Sequence, residues 1–400
     1  MTAPHRAARR RSSDPGPDPD PDSDPDPEPG HDPATSGASS SGASSSGADG
    51  AREAGIPWTE AFHALEDHCR RAPSRHNTQP WTLVYERDRI TIHWQPERLL
   101  PCTDPDRRDL FLSLGAFLET CLIVASGAGL AVRAAVDLDE GKHRAARLLP
   151  ADSRYRTPFT LTTVETRGCA RGQHRPGPLT GTELSAARDQ LAPLPFARLV
   201  HLHTREIAAL ARRADRRLLA DRRAAAELRS WLRPTARHPR HALDGLSGPA
   251  LELTPAGATV LAACLTSPLH PLLRTLALPR LLAAAHHRPL RADGSVLVLV
   301  GDASGRRGPD AATPQGLIEH GRALARAWYA LTEHGVRVHP LAALIDDPRT
   351  GPLLAARLGI GEERRILCVF RAGHAMQQPE RSARIPAGGA VMGEGGPARR

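Results

Sequence analysis

The chain has 400 residues, 24% of them charged and only 4% aromatic, with a formal net charge of +9. Nearly all of the positive charge is arginine, because Lys142 is the only lysine. This chain-wide bias, with few aromatic rings for base stacking, argues against a nucleic-acid-binding protein. Six scattered cysteines without a C-x-x-C pair predict neither a zinc site nor a disulfide framework. Without a signal peptide or an apolar run of membrane-spanning length, we expect a soluble, cytoplasmic protein.

The two ends of the chain differ in composition from its body. Asp14–Asp32 alternates acidic residues with proline, and Ser36–Gly50 is a run of Ser, Gly and Ala. Neither segment can bury a hydrophobic core. We therefore predict a disordered tail over residues 1–52 and a flexible end over 387–400. Residues 51–400 hold 49 basic and 35 acidic side chains, so the body carries a net charge of +14.

A polar loop, Ala72–Trp81, connects a predicted helix to a predicted hairpin. Helical spacing of apolar residues predicts a helix that runs to about Arg71, and Pro73 ends it. Thr82–Tyr85 and Ile90–Trp94 are predicted to be the two strands of the hairpin. The loop is rich in Asn and Gln amides, which can donate and accept hydrogen bonds along the edge of a flat ligand. A solvated turn is the alternative interpretation.

Two glycine-bounded helices predict an internal repeat. After the capping turn Asp104–Arg108, the apolar stretch Leu110–Ser126 predicts a buried core helix, followed by a strand over Ala131–Leu138. Much later, Gly321–Gly335 aligns on Gly115–Gly129 without a gap, and a strand follows it too. The repeat predicts a duplicated unit, although so short a match can also arise by chance.

Further elements are predicted between and after these two helices. The region from about 205 to 290 begins with an Arg/Ala-rich helix whose charges alternate in sign, as on a solvated face. Ser295–Val300 is β-branched and unbroken, which predicts a buried central strand. The remaining predictions are a strand at Thr160–Thr166, a helix at Leu179–Leu194 with a Thr180/Glu183 capping box, a helix at Glu206–Trp231, a helix at Leu353–Leu358 and a strand at Ile366–Phe370.

Two motifs in different halves of the chain carry a family resemblance. The string APS-x-x-N-x-QPW in Ala72–Trp81 resembles the flavin-contacting loop of the nitroreductase family, FMN-dependent enzymes that are usually dimers. Arg167-Gly-Cys-Ala-Arg171 resembles the family's R-x-S/T-x-K/R motif, which is absent ahead of the first loop. The halves therefore look complementary. This arrangement is similar to the Acg-type branch, in which one chain contains two nitroreductase-like halves and builds a composite flavin site.

The resemblance implies an α+β, nitroreductase-like fold formed by a pseudo-dimeric tandem duplication within one chain. The halves would be residues 53–158 and 159–386, with about 205–290 as a lid or insert. A monomer is implied, since the usual dimer is fused. The implied cofactor is FMN, the implied reductant is NADH or NADPH, and the implied acceptor is a small molecule. The resemblance implies no catalytic residue and no metal, because the flavin carries the chemistry. The alternative is a flavin-sequestering protein with a lidded site and little turnover.

The resemblance also implies which residues bind the cofactor. Arg167 and Cys169 would contact the phosphate and Arg171 the N1/O2 edge of the flavin. The segment that includes Pro340 and Leu341 resembles the family's G-x-x-x-x-P segment, whose backbone passes near N5. The other implied contacts are Ser74, Arg75, Asn77 and Gln79 in the loop, and Arg384 in an Arg381-Ser-Ala-Arg384 signature that returns to the phosphate. Three departures from the family are Cys169 for a Ser/Thr, Arg75 for a small or neutral residue and His174 for an aromatic residue.

Overall fold

The computed structural model describes residues 57–194, 197–266, 290, 292–306 and 308–388. The predicted tail over residues 1–52, the end from 389 onwards and most of the stretch from 267 to 291 lie outside these described residues. The predicted α+β class is confirmed, because helices and sheets alternate along the described chain.

Eleven helices lie in the described part of the chain. Several of them are short, and two are 20 residues long. In chain order they are α1 (Trp58–His63), α2 (Glu66–Cys69), α3 (Arg108–Gly127), α4 (Leu161–Thr166), α5 (Gly181–Asp189), α6 (Thr204–Ala220), α7 (Arg222–Ser230), α8 (Pro255–Thr266), α9 (Pro314–Glu333), α10 (Ala343–Asp346) and α11 (Thr350–Arg357).

The strands form two four-stranded antiparallel sheets and one small two-stranded ladder. The first sheet has the order β1-β2-β4-β3 and the second has the order β5-β8-β10-β9. The strands are β1 (Trp81–Tyr85), β2 (Ile90–Trp94), β3 (Val132–Asp139), β4 (Arg144–Pro150), β5 (Arg198–His203), β6 (Leu232–Arg233), β7 (Leu246–Ser247), β8 (Ser295–Asp302), β9 (Arg337–Pro340) and β10 (Arg364–Gly373).

The two large sheets repeat one topology. In each, the first two strands pair, a 20-residue helix follows, the third strand forms the far edge, and the fourth returns between the second and third. The second sheet carries the insert of residues 204–294 between its first two strands, where the first sheet has only a short turn. Duplication of one ancestral unit stays a prediction, and this repeat of topology supports it.

Helices α3 and α9 pack against each other through glycines. A side chain on Gly115 would collide with the carbonyl of Ile318, and one on Gly321 would collide with the carbonyl of Leu112. The contacts are reciprocal, since each carbonyl belongs to the residue three positions before the opposing glycine. Such close backbone approach is possible only without a Cβ atom. The crossing therefore relates the two helices by an approximate twofold axis.

The two central helices also end in the same way. Gly129 after α3 has φ of 81° and Gly335 after α9 has φ of 71°, both in the left-handed region. The next residue in each case donates its backbone N–H back across the turn, from Leu130 to Ala125 O at 2.9 Å and from Val336 to Leu331 O at 2.9 Å. Both helices thus close with a Schellman-type cap, as the aligned glycines suggest.

The start and composition of α3 follow the sequence prediction. The Asp104 carboxylate accepts the backbone N–H groups of Asp109 at 3.0 Å and Leu110 at 2.9 Å. The expectation that the chain has no apolar run of membrane-spanning length was wrong for this helix: an 18-residue window has a mean hydropathy of 1.8, enough by length and composition to cross a membrane. However, 89% of that window is buried inside the protein. Burial in the core accounts for its apolar character.

Three predicted elements differ in the structure. Thr160–Thr166 is not a strand: Thr160 and Thr163 form a capping box that starts α4, and this local bonding outweighs the β-branched composition. The predicted helix Glu206–Trp231 is broken at Asp221, whose carboxylate accepts the N–H groups of Arg223 and Ala224 at 2.8 Å each and begins α7. The helix predicted over Leu179–Leu194 ends at Asp189, and β4 and β5 had no sequence prediction.

Candidate functional site

A cavity of about 260 Å³ lies between the two central helices and three loops that are far apart in sequence. Ser113 and Ala116 of α3 and Leu324 and Trp328 of α9 form part of its wall. Six of the ten predicted cofactor-binding residues line it, two from each of three segments: Ser74 and Arg75, Cys169 and Arg171, and Pro340 and Leu341. The structure thus brings together both halves of the predicted composite site.

The loop between α2 and β1 contains unusual backbone geometry. His76, Asn77 and Gln79 have positive φ values of 49°, 57° and 49°, and they are three of the six non-glycine residues with positive φ in the described chain. Each such residue costs about 1–3 kcal/mol and persists only where its surroundings enforce it. Ser74 Oγ accepts the Gln79 N–H at 2.9 Å, and Arg98 donates to Thr78 O at 2.6 Å. Concentrated strain of this kind is typical of functional loops.

Arg75 lines the cavity, but its guanidinium group is bound by carboxylates. It donates to Asp109 and to Asp346 at 2.6 Å each, and Arg108 donates to the same two carboxylates at 2.8 Å. Burial lowers the pKa of Arg75, but the nearby Asp109 and Asp346 carboxylates outweigh burial and raise it above its ordinary value. This closed ring of two cations and two anions fastens the loop to α3 and α10. In this structure Arg75 acts as a structural link.

The Arg167–Arg171 motif extends the second sheet. Ala170 donates its N–H to Val338 O at 3.0 Å, and Cys169 forms a parallel bridge with Val338 beside β9. Because side chains alternate along an extended segment, Arg167, Cys169 and Arg171 share one face. Cys169 and Arg171 reach the cavity, and Arg171 donates to Ala250 O of the insert at 2.6 Å.

Arg167 and Arg384 meet at the end of α2, next to Cys169. Arg167 donates to Arg71 O at 2.6 Å, and Arg384 donates to the same oxygen at 3.1 Å and to Ala72 O at 3.1 Å. Together with Arg71, Arg337 and Arg381 they form what we call the arginine cluster. Burial, then Arg381 and Arg167, lower the pKa of Arg71 to about 10, and burial lowers that of Arg384 well below its ordinary value.

The arginine cluster has little compensating charge. Glu165 pairs with Arg381 and lies 4.0 Å from the Arg71 guanidinium. Three buried guanidinium nitrogens of the cluster, Arg71 Nε, Arg167 Nε and Arg337 Nη1, have no hydrogen-bond partner among the described residues. Buried donors without partners are costly, so such a group is best explained by an anion that binds there.

Asn77 and Gln79 do not line the cavity; their amides bind protein backbone. Asn77 Nδ2 donates to Gly245 O at 3.2 Å and to Ala383 O at 3.0 Å, and its Oδ1 accepts from Arg384 at 2.9 Å. Gln79 Nε2 donates to Leu243 O at 2.9 Å. The sequence could not reveal these partners, because they lie more than 160 residues further along the chain.

Pro340 and Leu341 form a wall of the cavity but supply no backbone donor. Proline has no N–H, and the Leu341 N–H donates to Val369 O at 2.7 Å. The family motif implies a backbone that passes near the flavin, and in this conformation the Leu341 N–H is already bonded within the chain. Their contribution to the cavity is its shape.

The insert also lines the cavity. It contributes Ala211, Asp215 and a group of leucines, at Leu218, Leu219, Leu228, Leu232, Leu246, Leu251 and Leu261. A surface of this kind excludes water and can pack on the face of a planar ligand. The described part of the 205–290 region thus forms one wall of the candidate site.

Comparison with known proteins gives partial matches. No protein-family model matches the chain. Over 74 residues it is 41% identical to "Putative NAD(P)H nitroreductase Rv3131" of Mycobacterium tuberculosis, and over 71 residues it is 31% identical to "Putative NAD(P)H nitroreductase acg" of the same species. The resemblance to the nitroreductase family is confirmed. Each match covers 18% of this chain and 22% of the relative, so the chain spans about a fifth of these nitroreductases' length.

Solved nitroreductases resemble the chain weakly. The FMN and NADPH-dependent nitroreductase NfnB from "sphigopyxis sp. strain HMH" is 16% identical, with a TM-score of 0.34, over 58% of this chain and 98% of that one. NfnB from Mycobacterium smegmatis, solved with NADPH, is 17% identical with a TM-score of 0.25, over 54% and 86% of the two chains. These likenesses are too low to define the fold.

Sequence reasoning missed several residues of this candidate site. The insert leucines, Ser113, Ala116 and Trp328 line the cavity without any motif. The usable signal was the small size of the Ser113 and Ala116 side chains within a helix that is rich in large apolar side chains.

Proposed function

We propose that the chain binds one FMN, with the ring system in the cavity and the phosphate at the arginine cluster. The observation that carries this proposal is the cavity itself, which collects three motif segments from both halves of the chain. The relatives named NAD(P)H nitroreductases and the FMN-dependent neighbours support the same assignment.

The residues present fit such a cofactor in charge and in shape. The partnerless nitrogens of Arg167 and Arg337 suit a phosphate, whose oxygens accept charge-assisted hydrogen bonds from guanidinium groups. The apolar cavity beside a strained polar loop suits a flat ring system. Cys169 is the poorest match, because a thiol donates weakly where the family has a hydroxyl group.

We assign roles to this chain's residues on that basis. Arg167 and Arg384 would hold the phosphate, Arg171 would stabilise negative charge at the pyrimidine edge, and Pro340 and Leu341 would shape the cavity. FMN, when bound, supplies two-electron chemistry between NADH or NADPH and an acceptor. We propose the chain as a cytoplasmic, monomeric oxidoreductase that acts on a small molecule and binds neither nucleic acid nor membranes.

A second candidate function is flavin sequestration with little or no turnover, and the leucine wall favours it. The cavity volume of about 260 Å³ lies below the roughly 300–1,000 Å³ typical of ligand pockets. One ring system would fill it, so a nicotinamide could stack on the flavin only if part of the insert moved.

One experiment separates these functions. The purified protein is reconstituted with FMN, freed of excess flavin, and mixed anaerobically with NADH or NADPH while its visible spectrum is recorded. Bleaching of the flavin bands on a turnover timescale supports the oxidoreductase. A yellow protein that neither nucleotide reduces supports sequestration, and failure to retain flavin overturns both. Quantification of released FMN should give about one per chain, whereas two would mean that each half builds its own site.

A further inference from the structure

One short segment of the insert, Leu243–Glu252, contacts both loops of the candidate site. At its first end it pairs with the strained loop after α2. Gly245 donates its N–H to Asn77 O at 3.3 Å and accepts from Asn77 Nδ2 at 3.2 Å. Leu243 O accepts from Gln79 Nε2 at 2.9 Å. The Asn77 and Gln79 amides therefore bind this segment, and the Asn77 amide also contacts Ala383 and Arg384.

A buried carboxylate strengthens that first end. Asp244 is only 1% exposed and accepts from Arg98 at 3.1 Å, from Arg233 at 3.3 Å and from Arg240 Nε at 2.9 Å. Arg98 also donates to Thr78 O at 2.6 Å, in the centre of the strained loop. A buried charge is tolerated only when it is paired in this way, so the contact fixes the geometry of the segment.

The second end contacts the Arg167–Arg171 motif. Ala250 O accepts from the Arg171 guanidinium at 2.6 Å, and Glu252 Oε1 accepts the Arg171 backbone N–H at 2.5 Å. Glu252 has φ of 54°, a conformation that costs energy for a residue with a side chain. A Cβ atom at Gly172 would collide with the Glu252 carboxylate, so the glycine makes room for it.

We propose that Leu243–Glu252 is a clamp that fixes the two loops to each other, and that Glu252 is a positioning residue for Arg171. The identity of the ligand rests on the proposed function, but the clamp contacts lie wholly within the chain. If the cavity opens, the clamp stays in place and the movement occurs in α6 and α7, whose leucines form another part of the wall. The insert is thus an integral part of the site and is not a detachable lid.

The experiment compares Glu252→Ala and Glu252→Gln in the full chain, with Asp88→Ala as the control. Gln keeps an acceptor oxygen for the Arg171 N–H, whereas Ala removes it. Asp88 is a 74% exposed carboxylate in the β1–β2 turn. Amide hydrogen exchange is measured without FMN at residues 76–79, 168–172 and 243–252, and FMN affinity is measured by quenching of flavin fluorescence.

We expect Glu252→Ala to speed exchange in all three segments and to raise the FMN Kd about tenfold, the loss of one charge-assisted hydrogen bond. The FMN Kd of Glu252→Gln should stay within about threefold of the wild-type value, and the Kd of Asp88→Ala should equal the wild-type value. Unchanged exchange in the Ala variant, or a Gln variant as defective as Ala, would overturn the clamp. Faster exchange in a chain whose wild type binds no FMN would uphold the clamp and refute the proposed function.

Discussion

The two faces of the α3–α9 helix pair are equivalent by topology but carry different side chains. When Gly115 is aligned with Gly321, Ser113 is equivalent to Glu319 and Ala116 is equivalent to Arg322. The face with Ser113 and Ala116 borders the cavity. On the other face Arg322 donates to the fully buried Glu119 at 2.9 Å. Small side chains leave space on one face, and an ion cluster fills the other.

This ion cluster is closely packed. Arg326 lies 3.1 Å from the Glu119 carboxylate, Tyr155 donates its hydroxyl to Glu119 at 2.6 Å, and Glu319 pairs with Arg322 at 3.0 Å. Burial, then Glu119, raise the pKa of Tyr155 to about 12, so the hydroxyl stays protonated and remains a donor. The comparison shows how a repeated architecture can yield one site. At the two positions equivalent to Ser113 and Ala116, the charged side chains of Glu319 and Arg322 belong to an ion cluster and do not leave a space.

The largest effect should come from removing Glu119. Glu119→Ala leaves the Arg322 and Arg326 guanidinium groups without their buried counter-ion, which costs about 3–5 kcal/mol. Unfolding in urea should show a loss of that size. The matched control is Glu319→Ala on the same face, since its side chain is 30% exposed and should cost no more than about 1 kcal/mol. Equal losses would mean that the burial of the Glu119 carboxylate does not set the cost of removing it.

The free energy of unfolding should depend on pH through His174, which follows the Arg167–Arg171 motif. His174 is buried and its Nε2 donates to Ala170 O at 3.2 Å, and burial, then Arg371, lower its pKa to about 3. Because the folded-state pKa lies below the unfolded value, stability from this group is present above about pH 6.5 and is lost as the pH falls. The loss should reach about 2 kcal/mol at pH 5.

The replacement His174→Phe keeps an aromatic ring and removes the titrating group. The free energy of unfolding of this variant should depend less on pH between 7 and 5 than that of wild type. Urea titrations at both pH values measure it. The same pH dependence in variant and wild type would place the titrating group elsewhere.

Filling the cavity should weaken FMN binding without unfolding the chain. Ala116→Leu adds apolar volume in the space where the ring system is proposed to lie, and we expect about a tenfold rise in the FMN Kd. Ala209→Leu, on the exposed side of α6, is the control for the added side chain. Full FMN affinity in Ala116→Leu would show that the flavin does not occupy this cavity.

Features that depend on interactions between residues close in sequence could be predicted from the sequence, and features that depend on distant residues could not. Local signals were sufficient for the start of α3, for the C-terminal ends of α3 and α9, for the β1–β2 hairpin and for the buried strand β8. The same local reasoning failed at Thr160–Thr166, where a side-chain cap competed with strand propensity. At the site, the motifs marked segments that come together around the cavity. The hydrogen-bond partners of the Asn77 and Gln79 amides include residues of the insert, which the motifs do not identify. Those pairings are set by tertiary packing, which no local pattern encodes.

The smallest predicted effect concerns charge at the cavity and is a redox effect. Arg171 lines the cavity, and we propose that it faces the flavin N1/O2 edge, where reduced flavin carries negative charge. A fixed guanidinium stabilises the reduced form more than the oxidised form, and such differential stabilisation changes chemistry as well as binding. A charge-assisted hydrogen bond contributes about 1.5–3 kcal/mol. If only part of that is selective, Arg171→Ala should lower the midpoint potential of bound FMN by some tens of millivolts, since about 30 mV corresponds to 1.4 kcal/mol for two electrons.

Arg167→Ala is the matched comparison, because Arg167 lies in the arginine cluster and does not line the cavity. It should weaken FMN retention and leave the potential of the flavin that remains bound nearly unchanged. Redox titration of both variants with FMN in excess separates the two effects, since saturation removes differences in affinity. A common shift in both variants, or a wild-type potential in Arg171→Ala, would contradict the assignment of Arg171 to the pyrimidine edge. A shift confined to Arg171→Ala would show that the two arginines of one five-residue motif act on opposite ends of the cofactor, which their places in the cavity and in the cluster lead us to expect.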